Sequence, residues 1–226
     1  MTLLLEAKNI CKTFFTPSPL EVLQNISLTV HRGESIAIVG KSGSGKSALL
    51  HILGTLDAPT KGSVFFPHAA SFALEKLRMY KIGFIFQSFY LLEECSVWDN
   101  ILMPGRIAKK EASFLRRRGE ELLSLVELEG EKQMQVKLLS GGQKQKVAVA
   151  RALFNDPDIL FADEPTGSLD EINALRIRSL LFQAVENQGK ALLLVTHDLE
   201  LASTCSKKYL LKDKSLFIDN NTNNNP

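Results

Sequence analysis

Cysteine is scarce and patternless. Cys11, Cys95 and Cys205 are odd in number and far apart, which excludes a disulfide framework and the paired spacing of a zinc site, and suits a reducing cytoplasm. Long apolar runs are missing too. None approaches the ~18 to 20 residues that cross a bilayer as a helix, so any work across a membrane needs a pore supplied by another chain. Nor is there an excess of charge: 27 Lys and Arg against 25 Asp and Glu leave a formal net charge of +2. That is too little for a nucleic-acid or lipid-surface binder, and no nucleic-acid partner is expected. The Arg116-Arg117-Arg118 run shares a helical pattern with Leu115, Leu122 and Val126 and reads as a solvated basic face. No internal repeat is visible, no leader-like segment precedes the first strand pattern, and the asparagine-rich residues 220–226 read as a disordered tail. What is present is 226 residues at 45% hydrophobic, enough for one domain with a subdomain.

The most informative stretch is Gly40-Lys41-Ser42-Gly43-Ser44-Gly45-Lys46-Ser47, a full match to the phosphate-loop pattern G-x-x-x-x-G-K-[ST]. Its flanks suit it. Glu34 to Val39 is apolar and β-branched enough for a buried parallel strand, and Ala48 to Leu53 has helical spacing. The glycines let backbone N–H groups turn inward on the phosphates while the helix opening at Lys46 adds its positive dipole end. Lys46 is expected on the β- and γ-phosphates and Ser47 on Mg²⁺.

A second element is Asp158 to Pro165, an apolar strand whose carboxyl end delivers Asp163 and Glu164 to the rim where open α/β sheets bind ligands. Adjacent strand residues face opposite sides, so the two acids have separate tasks. Asp163 reads as the Mg²⁺ partner and Glu164 as the base that orients and deprotonates the attacking water. The third element, Leu139-Ser140-Gly141-Gly142-Gln143, opens a helix that runs to Leu153 and stops before Pro157. Ser140 and Gln143 stand in capping-box relation, which alone describes an ordinary helix start. Two glycines in a first turn cost about 1 kcal/mol each, however, unless something approaches the backbone closely. A γ-phosphate held by another subunit is the economical candidate.

With these elements the chain resembles the nucleotide-binding subunits of ATP-binding cassette (ABC) transporters over nearly its whole length. The resemblance implies a P-loop NTPase α/β fold with a RecA-like parallel-sheet core, an antiparallel β subdomain and a helical subdomain. One domain is expected over residues 1–219, with core at 1–86 and 139–219 and the helical subdomain at about 87–138. It also implies ATP and Mg²⁺ as ligands and an ATP-dependent homodimer. Integral membrane permease subunits are implied as partners, and a peripheral place on the cytoplasmic face of the inner membrane. Gln87 matches the glutamine that touches Mg²⁺ and water, His197 the histidine at the γ-phosphate, and Ser168-Leu169-Asp170 the family's D-loop. Phe14 stands where an aromatic residue stacks on adenine, and Ala48 where a threonine usually reaches the α-phosphate. Residues 83–92 and 162–170 are most similar to the group of lipoprotein-releasing, MacB-type efflux and FtsE-type cell-division ATPases. Lipoprotein release leads, with efflux or division as alternatives and a soluble non-transport ATPase behind them.

Four further expectations follow. The short stretch 62–81 suggests a trimmed antiparallel sheet. A helix is expected from Glu111 to Leu128 before Gly130, and a hairpin turning at Asp213-Lys214. The cluster Phe89, Tyr90, Leu91, Leu92, Val97 and Trp98 either packs the helical subdomain or lines a groove for a permease helix, with Glu93 and Glu94 on that surface.

Overall fold

The computed structural model describes residues 2–15, 17–167 and 169–219. The expected tail at 220–226 and Ser168 lie outside them. The chain opens with β1 (Leu3–Phe14) and β2 (Leu20–His31), an antiparallel pair that β4 (Lys61–Phe65) extends to a three-stranded sheet in the order β2-β1-β4. Between them come β3 (Ser35–Val39) and α1 (Lys46–Leu53). A short helix, α2 (Leu74–Tyr80), leads into β5 (Ile82–Ile85). The helical segment follows as α3 (Val97–Ile107), α4 (Ala112–Leu125) and α5 (Gly141–Leu153). The chain then returns through β6 (Ile159–Asp163), α6 (Glu171–Gln188), β7 (Ala191–Thr196) and α7 (Leu199–Ser203), and ends in β8 (Lys207–Lys212) and β9 (Ser215–Ile218).

The central sheet has the order β5-β6-β7-β3-β8-β9, parallel except for the β8–β9 pair. β3, β6 and β7 are buried throughout, nearly continuous apolar runs because both their faces are covered. The alternation is still visible in which layer each residue joins. Ala37, Val39, Leu160, Ala162, Leu192 and Leu194 pack with α3 to α6, whereas Ile36, Ile38, Ile159, Phe161, Leu193 and Val195 pack with α1 and the antiparallel sheet. The register aligns the strands' carboxyl ends: Val39 pairs with Thr196, and Asp163 with Val195. One edge of the sheet therefore carries the phosphate loop, both acids, His197 and the approach to Gln87.

The β8–β9 hairpin turns where expected, with Asp213 and Lys214 at φ 48 and 67, the left-handed pair of a type I′ turn. The helix ending differs. α4 stops at Leu125 rather than Leu128, because Glu127 takes φ 56 and Leu128 N–H turns back to the Leu123 carbonyl. Gly130 is not needed for the stop. The basic run also divides: Arg116 and Arg117 pair with Glu120 and Glu121, but Arg118 turns inward to the carbonyls of Leu153 and Phe154 at the end of α5. The Arg118 side chain is 22% exposed, so the expected solvated face holds for the first two arginines only.

Candidate active site

Gly43 and Gly45 adopt φ 75 and 101, a conformation that L side chains resist. Gly40 lacks a Cβ for a different reason, since one would sit 2.6 Å from the Leu211 carbonyl oxygen. The loop thus wraps close against β8. α1 begins at Lys46 with no side-chain cap and no acid in its first turn, which leaves its amide donors and dipole directed at whatever occupies the loop. The buried Lys46 ammonium donates to the Gly40 and Lys41 carbonyls at 2.9 and 3.1 Å. The Ser44 hydroxyl is buried without a partner. A glycine cradle, a buried cation and bare helix amides together fit a polyphosphate.

The two acids have different surroundings. Asp163 is 8% exposed, and among the described residues no cation lies within ion-pair distance of it. Burial pushes its carboxyl above the usual range, with the Ser47 hydroxyl and the charges of His51 and Lys46 pulling it back. Its Oδ1 has no hydrogen-bond partner. A buried carboxylate with an orphaned oxygen beside a serine hydroxyl is a donor set that a hard divalent cation would satisfy.

Glu164 leaves the strand in a left-handed conformation, φ 45, with its N–H on the Val195 carbonyl. Its Oε2 accepts the Thr196 hydroxyl at 3.0 Å and the His197 N–H at 3.3 Å, and faces His197 Nδ1 at 2.9 Å. These contacts fix the carboxylate and leave Oε1 to the cleft. Thr196, fully buried, is the last residue of β7, and its one sign in the sequence is that place just before His197.

Phe14, Ser42, Gly43, Gly45, Lys46, Ser47, Ala48, Gln87, Glu164 and His197 line one cleft of about 670 Å³. Lys12, held by Asp57 and the Ala58 carbonyl, places its ammonium 5.1 Å from the centre of the Phe14 ring. Ser140, Gly141, Gly142, Gln143 and Asp170 do not line this cleft. Ser140 and Gln143 form a full capping box at the start of α5. Asp170 caps α6 through the Asn173 N–H at 2.9 Å, a bond that holds its exposed carboxyl below the usual range. The glycines of that helix start divide. A Cβ on Gly142 would meet the Asn173 side chain at 2.6 Å, whereas one on Gly141 would meet nothing within 4 Å. Close approach within the chain therefore explains Gly142; Gly141 faces open space.

A second hollow, about 520 Å³, lies beside α2 and α3 and is lined by Phe84, Phe86, Tyr90, Met79, Met103 and Ile107 among others. Tyr90 is two-thirds exposed, but Val97 is buried and Leu91 and Trp98 pack on the core. Of the apolar cluster, Val97, Leu91 and Trp98 thus serve the core and Tyr90 lines the hollow. Glu93 and Glu94 are not on the hollow: they pair with Lys144 and Lys137 on either side of the α5 start.

Residues 23–167 match the family model described as ABC transporter. The chain belongs to that family of ATP-binding subunits, and it is an ABC ATPase. It is 47% identical over 221 residues to the lipoprotein-releasing system ATP-binding protein LolD of Protochlamydia amoebophila, covering 96% of this chain and 97% of that one. Among solved structures, the dimeric ATP-binding cassette MJ0796 in a post-hydrolysis state with ADP and Pi superposes with a TM-score of 0.87 at 36% identity, over 95% and 97% of the two chains. CbiO1 of Clostridium perfringens, part of the cbiONQ transporter complex, gives 0.82 at 26% identity over 96% and 88%. The RecA-like sheet with its antiparallel layer is thus the family fold. No helix among the described residues is long and apolar enough to cross a membrane.

Proposed function

We propose that this chain is the ATP-hydrolysing subunit of a lipoprotein-releasing transporter, peripheral on the cytoplasmic face of the inner membrane and working as an ATP-dependent homodimer with integral membrane permease subunits. The observation that carries this reading is the 47% identity to LolD across nearly the full length of both chains.

In this reading Phe14 stacks on adenine, and the loop Gly40–Ser47 with Ala48 holds the phosphates. Ser47, Asp163 and Gln87 hold Mg²⁺, which supplies charge neutralisation at the phosphate oxygens. The cleft water attacks the γ-phosphorus as its bond to the β–γ bridging oxygen breaks, and the water's proton passes to Glu164. The carboxylate is suited to this because Thr196 and His197 fix one oxygen and leave the other to the water. His197 then stands beside the developing phosphate. Ser140, Gly141, Gly142, Gln143 and Asp170 lie outside the cleft of their own chain and act on the partner's triphosphate. The exposed Leu138, Ile172 and Leu175, close in sequence to these positions, are apolar surface for that contact.

The hollow beside α3 receives a short cytoplasmic helix of the permease, because its floor is aromatic and methionine-rich and Tyr90 follows closely on Gln87. Co-purification tests this. Met103→Glu with Ile107→Glu, both on the hollow, should abolish recovery with the permease while the isolated ATPase stays folded and active. Unchanged recovery and transport would place the docking surface elsewhere.

A further inference from the structure

The Phe89-Tyr90 segment, just past Gln87, has an unusual backbone. Both residues adopt left-handed conformations, φ 61 and 45, which bulky side chains rarely tolerate. Two such residues in succession persist only where their surroundings over-determine them. The local bonds are slight: Phe89 N–H reaches the Phe86 carbonyl at 3.1 Å and Tyr90 N–H the Ser88 carbonyl at 2.6 Å. The Tyr90 ring lies edge-on to Phe86 with centroids 5.0 Å apart.

The stronger hold comes from across the fold. Arg151 donates from Nη1 to the Tyr90 carbonyl at 2.5 Å and from Nη2 to the Phe89 carbonyl at 2.7 Å. One planar guanidinium thus captures two consecutive carbonyls, a task to which its fork is suited and a lysine ammonium is not. Among the described residues no carboxylate pairs with Arg151, and burial alone lowers its pKa from the usual guanidinium value. A half-buried cation without a counter-charge is a costly way to tie down an ordinary surface loop.

Arg151 belongs to the last turn of α5, whose other end is the Ser140 capping box. The helix is a rod about 16 Å long between these two points. Its open end carries Gly141, its far end the grip on the segment that follows Gln87. We propose that Arg151 is a positioning residue for ATP hydrolysis: its guanidinium fixes the Phe89-Tyr90 carbonyls, and so sets Gln87 in the cleft according to where α5 stands. The inference rests on the reading of Gln87 as a group at the metal and the water. It adds that the placement of Gln87 is delegated to the helix whose start faces the second subunit.

The test is a double-mutant cycle on the full chain, with steady-state hydrolysis and equilibrium binding of MgATP measured together. Arg151→Met should lower kcat by roughly 10- to 100-fold, the scale expected for misplacing a group by about 1 Å. The Kd for MgATP should stay within about twofold, since Phe14, Lys46 and Ser47 are untouched. Arg151→Lys should recover only part of kcat, because an ammonium does not bridge both carbonyls. In a Gln87→Ala background Arg151→Met should cost nothing further, which a merely structural arginine would not predict. Losses that multiply in the double variant, or a kcat unmoved by Arg151→Met, overturn the proposal. If Gln87→Ala alone leaves kcat unchanged, the reading of Gln87 is what has failed, and this inference falls with it. Should Arg151→Met not fold, as judged by its melting transition, the same cycle with Arg151→Lys decides the matter.

Discussion

Replacing Glu164 by Gln isolates the chemistry from the architecture. The glutamine has the shape of the carboxylate, and its amide oxygen can still accept the Thr196 hydroxyl and the His197 N–H that now fall on Oε2 at 3.0 and 3.3 Å. The left-handed turn at φ 45 and the backbone bond to Val195 are untouched. Stability should therefore change by no more than about 1 kcal/mol, the worth of weakening one such bond. What is lost is the acceptor for the water's proton, and removal of a general base costs roughly 10² to 10⁴ in rate. That is about 3 to 5 kcal/mol of barrier. Phosphate release under saturating MgATP measures the rate, and light scattering on the same samples measures mass. ATP still binds and is not consumed, so the dimer should accumulate as mass action demands. A Glu164→Gln protein that hydrolyses at the parental rate, or stays monomeric at saturating ATP, refutes the role given to this carboxylate.

Gly141 and Gly142 should respond in opposite ways to alanine. At Gly142 the added methyl would sit 2.6 Å from an Asn173 side chain that Asp170 holds at 2.6 Å, so thermal unfolding should show a loss of about 1 to 3 kcal/mol from overpacking. At Gly141 the methyl meets open space and alanine is the better helix former by about 1 kcal/mol; stability should hold or rise while dimer-dependent hydrolysis falls. Asp158 sets a pH test. Burial pushes its carboxyl up, but hydrogen bonds and charge from Lys81 and Arg32 outweigh this and hold it below its ordinary value. A depressed native pKa contributes stability above the unfolded value near ~3.9 and loses it as pH falls through the native value. With both partners a third or more exposed, Asp158→Asn should cost about 1 kcal/mol, or roughly 2 to 4 °C, at neutral pH. The gap from wild type should close in acid below about pH 4; a gap that widens there contradicts the assignment.

What was legible in the sequence is what short-range chemistry dictates. Gly43 and Gly45 spell a backbone that only glycine accepts, Ser140 and Gln143 a capping box, Asp213-Lys214 a tight turn between two apolar strands. Strand alternation gives Asp163 and Glu164 separate tasks, although Glu164 sits on a left-handed turn at φ 45 just past the strand. The rest depends on what lies across the fold. Gly142 reads the same as Gly141 until Asn173 is seen against it, and nothing in Arg118 distinguishes it from Arg116 until the end of α5 comes within reach. Glu93 and Glu94 looked like groove residues because they follow Tyr90, yet Lys144 and Lys137 draw them to the other side. Arg151 carries no local sign of its grip on Phe89 and Tyr90, since the strain it holds belongs to another segment. Thr196 was hidden for a similar reason: its worth lies in the carboxylate it touches, not in its own neighbours.

The central claim is that ATP turnover in this cleft drives the release of lipoproteins from a membrane. The direct measurement uses proteoliposomes carrying the permease subunits, this chain and a labelled lipoprotein, with release to a soluble carrier followed after MgATP is added. Release should track hydrolysis and be absent with Lys46→Ala, whose cleft has lost the ammonium now bonded to the Gly40 and Lys41 carbonyls. Steady hydrolysis with the lipoprotein left in the bilayer would contradict the account and turn the search to an efflux or division partner.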